Sequence, residues 1–175
     1  MFNSLHAKGR FKMNIVIIPF LRENIDDVNR IWNDVVSEGN AFPQVSLLDV
    51  ENGIEFFESQ SFTGVALDEE SGKVVGIYIL HPNNVGRCGH ICNASYAVDK
   101  SMRGKHIGEK LVSHCMKKGT ELGFKILQFN AVVASNKSAL KLYERLGFTK
   151  LGTIPNGFLT KDGSFEDIIP HYIEL

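Results

Sequence analysis

The segment from Ala97 to Leu111, AVDKSMRGKHIGEKL, most constrains the fold, because it joins a β-rich stretch to a helical one through a basic turn that contains glycine. After the turn, Ile107, Leu111 and Cys115 recur at helical spacing. A helix that begins in such a turn presents free backbone N–H groups and the positive end of its dipole, which together favour an anion such as phosphate. A plain strand-to-helix turn with solvated basic residues explains this stretch equally well.

The composition indicates an ordinary globular chain. Its 175 residues suit one domain with a sizeable core, and 43% are hydrophobic while 22% are charged. The formal net charge of −1 gives no strong field that would attract a polyanion. We therefore expect no nucleic acid and no membrane among the partners.

The N-terminus and the cysteines indicate the cellular compartment that suits this chain. The first twelve residues carry some positive charge without an apolar stretch behind them, so they do not resemble a secretory signal. Three cysteines are too few, and odd in number, for a disulfide framework. We expect a cytoplasmic protein with a tail over residues 1–12 and one domain over residues 13–175.

Hydrophobic periodicity predicts helices interspersed among strands. Strands are predicted at 14–20, on both sides of a turn at Ser71–Gly72, at 90–98, at 125–133, and within 149–155 and 167–175. Helices are predicted at 23–39, at 54–60, from the basic turn to about residue 122, and at 134–148. This order indicates a single α/β or α+β domain built on a mixed sheet.

A second stretch, NKSALKLYERLGF at 136–148, places Asn136, Leu140 and Tyr143 on one helical stripe. Taken alone, Tyr143 is more typical of a packed core aromatic and Asn136 of a simple helix cap. Their occurrence one strand after the basic turn instead favours an amide and a phenol that face the same groove.

Together, the two stretches resemble the GNAT superfamily of N-acetyltransferases. RGKHIG, from Arg103 to Gly108, aligns with the family pattern Arg/Gln-x-x-Gly-x-Gly/Ala, except that His106 stands where the first glycine is usual. The second stretch matches Asn-x-x-Ala-x-x-Leu-Tyr-x-x-x-Gly-Phe at every specified position. The resemblance extends more weakly to the opening strand and helix.

This resemblance implies a mixed, mostly antiparallel sheet flanked by helices, in which acetyl-CoA lies in a V-shaped opening between the fourth and fifth strands, here 90–98 and 125–133. The implied cofactor-binding residues are Tyr96, Ala97 and Val98 along the pantetheine arm, Arg103, Gly104, Lys105, His106, Ile107 and Gly108 around the diphosphate, and Asn136 on the cofactor arm. Tyr143 is the implied catalytic acid, which protonates the departing thiolate. We expect a helical φ at His106, since a left-handed one strains a non-glycine residue.

The general base is left open. Related enzymes carry a glutamate in the fourth strand, but the comparable stretch here offers Asn93, which cannot accept a proton. Glu38, Glu58, Asp99 or a chain of water molecules are the alternatives.

Three residues have a spacing that resembles a metal site, but they indicate a metal only weakly. Cys88, His90 and Cys92 are expected on one face of a strand, but no fourth ligand stands at a recognised zinc spacing, so no metal is expected.

The acceptor is expected to contact two segments, 39–60 and 152–167. EGNAFP at 38–43 and the pair Phe56–Phe57 offer apolar and aromatic walls that suit a small amine or an amino acid. The alternatives are an acetyltransferase that acts on protein N-termini or lysines, and a non-catalytic module that binds or senses acyl-CoA. A homodimer is a further option that the sequence does not decide.

Overall fold

The computed structural model describes residues 14–175, so the predicted tail at 1–12 and the first domain residue, Met13, lie outside the described part. The strands are β1 Ile15–Pro19, β2 Phe62–Asp68, β3 Lys73–Pro82, β4 Ile91–Val98, β5 Ile126–Phe129, β6 Thr149–Lys150, β7 Ile154–Leu159, β8 Phe165–Ile168 and β9 His171–Glu174. The helices are α1 Ile25–Glu38, α2 Val50–Glu58, α3 Ile107–Glu121 and α4 Lys137–Arg145, and short 3-10 turns occur at Arg22–Asn24, Gly86–Cys88 and Lys100–Met102.

Seven strands form one sheet in the order β1-β2-β3-β4-β5-β9-β6, and β7 and β8 pair separately as a hairpin. Neighbouring strands of the large sheet are antiparallel except β4 and β5, which are parallel. The predicted single domain with a mixed, mostly antiparallel sheet flanked by helices is therefore confirmed.

Two apolar clusters cover the two faces of the sheet. Leu111 and Cys115 of α3 pack with Leu127 on one face. Val28 and Trp32 of α1 pack on the other face with Ile77 and its neighbours. Strand β3 is buried at every position from Val74 to Leu80, which agrees with a central strand covered by helices on both sides.

The helix ends follow local chemistry that the sequence displays. Gly39 adopts a left-handed φ of 64° at the end of α1, where glycine carries no steric penalty. Asp49 begins α2 by accepting the Asn52 N–H, and Asn136 begins α4 by accepting the Ala139 N–H at 3.2 Å. These caps fix the direction in which each helix leaves the sheet.

Two segments near the C-terminus differ from the prediction. Strand β5 ends at Phe129, four residues before Val133, because Val133 instead makes an isolated bridge with Ile168. No strand was predicted over residues 156–166, but β7 extends to Leu159 and β8 begins at Phe165, and the hairpin turns through Gly163 at a φ of 85°.

No helix in the range 14–175 is both long enough and apolar enough to cross a membrane.

Candidate active site

The parallel strands β4 and β5 separate soon after they meet. Only Ile91 with Ile126 and Cys92 with Leu127 are paired, whereas β4 continues beside β3 as far as Val98. Residues 93–98 therefore have an edge that β5 does not cover. A cavity of about 1040 Å³ opens at this edge, between β4, the start of α3 and the residues that follow β5. The V-shaped opening expected between these strands is present.

The alternation of an antiparallel pair decides which backbone groups of β4 face the cavity. The Asp99 N–H donates to the Val75 carbonyl of β3. Every second residue of a strand directs its backbone groups to the same side, so those of Ala97 and Ser95 also face β3. The Ala94 N–H donates instead to the Asn93 side chain, at 2.7 Å. Tyr96 and Val98 consequently present their backbone groups to the cavity, while those of Ala97 pair with Ile77.

The turn before α3 is rich in unpaired amides. Within the described residues, the backbone N–H groups from Gly104 to Gly108 find no acceptor. They lie at the positive end of a 15-residue helix, and Gly104, Ile107 and Gly108 line the cavity. The arrangement therefore offers a site for an anionic group, as the sequence predicted.

The conformation expected for His106 is wrong. His106 has a φ of 60° and Gly104 a φ of 79°, so both residues are left-handed. These two residues lie where the chain passes from the extended Arg103 into α3, which begins at Ile107. The imidazole is largely exposed, and its Nδ1 lies 3.3 Å from Glu109 Oε2.

Charged groups lie around this turn in pairs. Arg103 lines the cavity and bonds to Glu38 at the end of α1. Glu109 accepts from Arg145 at 2.9 Å, and this contact, with the His106 contact, lowers the pKa of the Glu109 carboxyl. Lys105 is placed differently, because its Nζ turns towards Met102 Sδ at 3.3 Å and it does not line the cavity.

Tyr143 and Asn136 both line the cavity from α4. The Tyr143 ring packs on Phe129, Phe148 and His171. Burial raises the pKa of the Tyr143 phenol, so the group remains protonated at neutral pH. The phenol therefore has a proton to donate if negative charge develops beside it in the cavity.

A second phenol belongs to Tyr96, a residue of β4. Burial raises its pKa well above the usual range, and its hydroxyl finds no hydrogen-bond partner among the described residues. The Cys115 thiol faces it, and burial raises the pKa of that thiol to about 12. Both groups are therefore neutral parts of the core at physiological pH.

Among the three candidate bases, the structure brings only Glu38 to the cavity lining. Glu58 lies on α2 and pairs with Arg22 at 2.6 Å. Asp99 accepts from Ser101 and Arg30, and these bonds lower the pKa of its carboxyl. Asn93 lines the cavity at the position where a fourth-strand carboxylate was considered.

The cavity is lined by only some of the residues expected to contact an acceptor. Asn40, Ala41, Phe42 and Pro43 line the cavity, in agreement with the prediction for EGNAFP. The prediction for Phe56 and Phe57 is wrong, because both rings pack against Trp32, at 5.1 and 5.7 Å, instead of facing the cavity. Helical periodicity shows that such residues are on an inner face but does not show which inner surface they meet.

The second expected acceptor segment, 152–167, also lies away from the cavity lining in the described chain. The turn of the β7–β8 hairpin instead reaches the end of α1, where Lys161 Nζ donates to the Ser37 carbonyl at 3.0 Å. The hairpin therefore supports the acceptor-side wall from outside.

Cys88, His90 and Cys92 do not share one face of a strand, so that placement is wrong. Cys88 is exposed in a 3-10 turn, His90 precedes β4, and Cys92 is buried within β4. Across residues 14–175, no three side chains of His, Cys, Asp or Glu converge as metal ligands.

Asn130 is a cavity residue that sequence reasoning missed. It follows β5 directly, and its Nδ2 donates to Asn83 Oδ1 at 2.7 Å while its Oδ1 accepts from Gln128 at 2.9 Å. The polar residue after the apolar alternation of β5 was the available signal for the end of that strand.

Comparison with known proteins agrees with this geometry. The acetyltransferase (GNAT) family matches residues 27–148. The N-acetyltransferase aca1 of Schizosaccharomyces pombe is 41% identical over 81 residues, which are 46% of this chain and 39% of that protein. The chain thus spans less than half the length of this relative.

Solved structures show the same fold. A GCN5-related N-acetyltransferase from Kribbella flavida superposes with a TM-score of 0.83 at 26% identity and covers 92% of this chain and 98% of its own. A phosphinothricin acetyltransferase from Sinorhizobium meliloti, solved with acetyl-CoA, gives 0.85 at 21% identity over 93% of this chain and 89% of its own.

The fold is that of known N-acetyltransferase structures. The chain belongs to the acetyltransferase (GNAT) family. The family expected from the two motifs is therefore confirmed.

Proposed function

We propose that this protein transfers the acetyl group of acetyl-CoA to the amine of a small molecule or an amino acid. The cleft between β4 and β5 carries this proposal, because it joins an unpaired strand edge, an amide-lined anion site and a protonated phenol in one cavity. We also infer a cytoplasmic location, since its three cysteines are free thiols.

The cofactor lies along β4. The backbone groups of Tyr96 and Val98 pair with the pantetheine arm, as a fifth strand would. The diphosphate binds the amides from Gly104 to Gly108 and the Arg103 guanidinium, while Asn136 holds the arm from α4. This arrangement directs the thioester towards Tyr143.

In the chemical step, the neutral amine nitrogen attacks the thioester carbonyl carbon and the C–S bond then breaks. Negative charge develops first on the carbonyl oxygen, near the backbone amides of the free β4 edge. The departing thiolate takes the Tyr143 proton. Asn93 cannot accept the amine proton and Glu38 is paired with Arg103 and Lys100, so we assign that proton to water, which in turn returns a proton to the Tyr143 phenolate. The cleft contributes mainly by holding the reactants in place.

The acceptor is a small amine in this proposal because Ala41, Phe42 and Pro43 give the cavity an apolar and aromatic wall. The test is incubation of the protein with isotopically labelled acetyl-CoA and a metabolite extract, followed by mass spectrometry and a thiol assay. A labelled small amine supports the proposal. Label found only on added peptides or proteins would show that the acceptor is a peptide or protein and not a small amine. CoA binding without any labelled product would indicate the non-catalytic sensing module instead.

A further inference from the structure

The ion pair between Arg103 and Glu38 joins the two walls of the cavity. Arg103 Nη2 lies 3.0 Å from Glu38 Oε1 and 3.1 Å from Oε2. Arg103 immediately precedes the amide-lined turn, and Glu38 is the last residue of α1, directly before the acceptor-side segment Gly39–Pro43. The pair therefore connects the anion site to the wall that faces the acceptor.

A diphosphate in the turn competes with Glu38 for the same guanidinium. Arginine uses one set of N–H donors for carboxylates and for phosphates, so it cannot satisfy both partners fully. The Arg103 side chain is 48% exposed, which leaves it room to turn towards the amides from Gly104 to Gly108. The charge of a diphosphate makes it the stronger partner.

Lys100 lowers the free-energy cost of moving Arg103 from Glu38 to the diphosphate. Its Nζ lies 3.5 Å from Glu38 Oε1 and 3.8 Å from Asp34 Oδ1. When Arg103 leaves, Glu38 keeps a cation beside it and remains partly exposed to water. The exchange thus breaks one surface ion pair without leaving a buried charge unpaired.

We propose that Glu38 and Arg103 are positioning residues that couple cofactor binding to the acceptor-side wall. Without cofactor, Glu38 holds Arg103. When the diphosphate of acetyl-CoA binds Arg103, the end of α1 loses one contact and keeps those of Lys100 with Glu38 and of Lys161 with Ser37, so the segment Gly39–Pro43 becomes looser and can fit the acceptor. This inference rests on the proposed function, because it requires CoA in the cleft.

The test measures CoA affinity by isothermal titration calorimetry. Glu38→Gln removes the competitor and should tighten CoA binding about two- to fivefold, the range expected for one exposed ion pair. Glu38→Asp keeps the charge but shortens the side chain, so it should also tighten binding. In an Arg103→Gln background, which binds CoA more weakly, Glu38→Gln should have no effect.

Two control variants separate this contact from general charge effects. Asp34→Asn removes a carboxylate from the same helix one turn earlier, near Lys100, and Glu58→Gln breaks a comparable ion pair on α2. Neither should change CoA affinity. Tightening by Asp34→Asn equal to that by Glu38→Gln, or tightening that persists in the Arg103→Gln background, overturns the proposal.

Amide hydrogen exchange supplies a second readout. Exchange at residues 39–42 should accelerate when CoA is added to the wild type, and should already be fast in Glu38→Gln without CoA. Unchanged exchange in both cases overturns the coupling. If the wild type binds no CoA, the proposed function fails as well, whereas normal CoA binding with no Glu38 effect refutes only this inference.

Discussion

The Tyr143 and Phe129 rings lie 4.5 Å apart between centroids, so the phenol of α4 is held against the end of β5. Phe129 is also stacked on Phe148 at 4.8 Å, beyond the end of α4. This packing fixes the phenol beside the cleft before any cofactor enters. The position of the acid is thus set by the core.

Tyr143→Phe keeps this packing and removes only the hydroxyl. We expect kcat to fall by about 100-fold, the lower end of what a positioned acid contributes, while the dissociation constant for CoA changes less than about twofold. Steady-state thiol release and calorimetry measure the two quantities. Tyr172→Phe, on β9, is the matched control and should leave both unchanged. Equal losses of turnover and CoA affinity in Tyr143→Phe would refute the acid role.

The two glycines at either end of the amide-lined turn should respond differently to alanine. Gly104 has a φ of 79°, so Gly104→Ala should lower the free energy of unfolding by about 1 kcal/mol and weaken CoA binding. At Gly108 an added Cβ meets Leu142 at an ordinary 3.6 Å, so Gly108→Ala should preserve both stability and CoA affinity. Urea unfolding and CoA titration measure these effects, and the opposite ranking would contradict the geometry of the turn.

His106→Gly should stabilise the protein. The left-handed conformation costs a non-glycine residue about 1–2 kcal/mol, and glycine removes this cost. The greater conformational freedom of glycine in the unfolded chain offsets part of the stabilisation. We expect a net increase of about 0.5–1 kcal/mol in the free energy of unfolding. His90→Gly, at an exposed residue without a positive φ, is the control and should not stabilise. A stability loss in His106→Gly would show that the imidazole contributes more than the strain costs.

The protein should lose stability as the pH falls below about 6.5. Burial lowers the pKa of His114, whose Nδ1 lies 2.8 Å from the hydroxyl of the buried Tyr78. Because the folded pKa lies below the unfolded value of 6.5, the unfolded chain binds the proton more readily, and stability falls as the pH drops. His171 has a pKa lowered in the same direction.

Urea unfolding of the wild type and of His114→Gln across this pH range tests the effect. The variant should depend less steeply on pH, with His171 supplying the remaining dependence, and His90→Gln should behave like the wild type. A wild-type free energy of unfolding that is constant or rises on acidification would contradict the assignment.

Most of the fold could be predicted from the sequence because the signals for helix ends and turns are local. The helix predicted at 23–39 ends at Gly39, and the predicted turn at Ser71–Gly72 joins two strands. The hairpin of β7 and β8 was missed, since most of its residues are exposed and show little alternation of burial.

The cleft residues illustrate the limit of local reasoning. Motif spacing located Tyr143 and the turn, but the orientation of the Ala97 backbone depends on pairing with β3, which no local pattern contains. Likewise, Phe56 and Phe57 satisfied the periodicity of a wall, while the position of Trp32 across the chain determined that they belong to the core.

A crystal structure of the protein with acetyl-CoA tests the central claim most directly. We expect the pantetheine arm to bond to the backbone of Tyr96 and Val98, the diphosphate to lie on the amides from Gly104 to Gly108, and the thioester sulfur to lie within hydrogen-bond distance of the Tyr143 hydroxyl. A cofactor bound outside the gap between β4 and β5, or a sulfur beyond the reach of that phenol, would contradict the account.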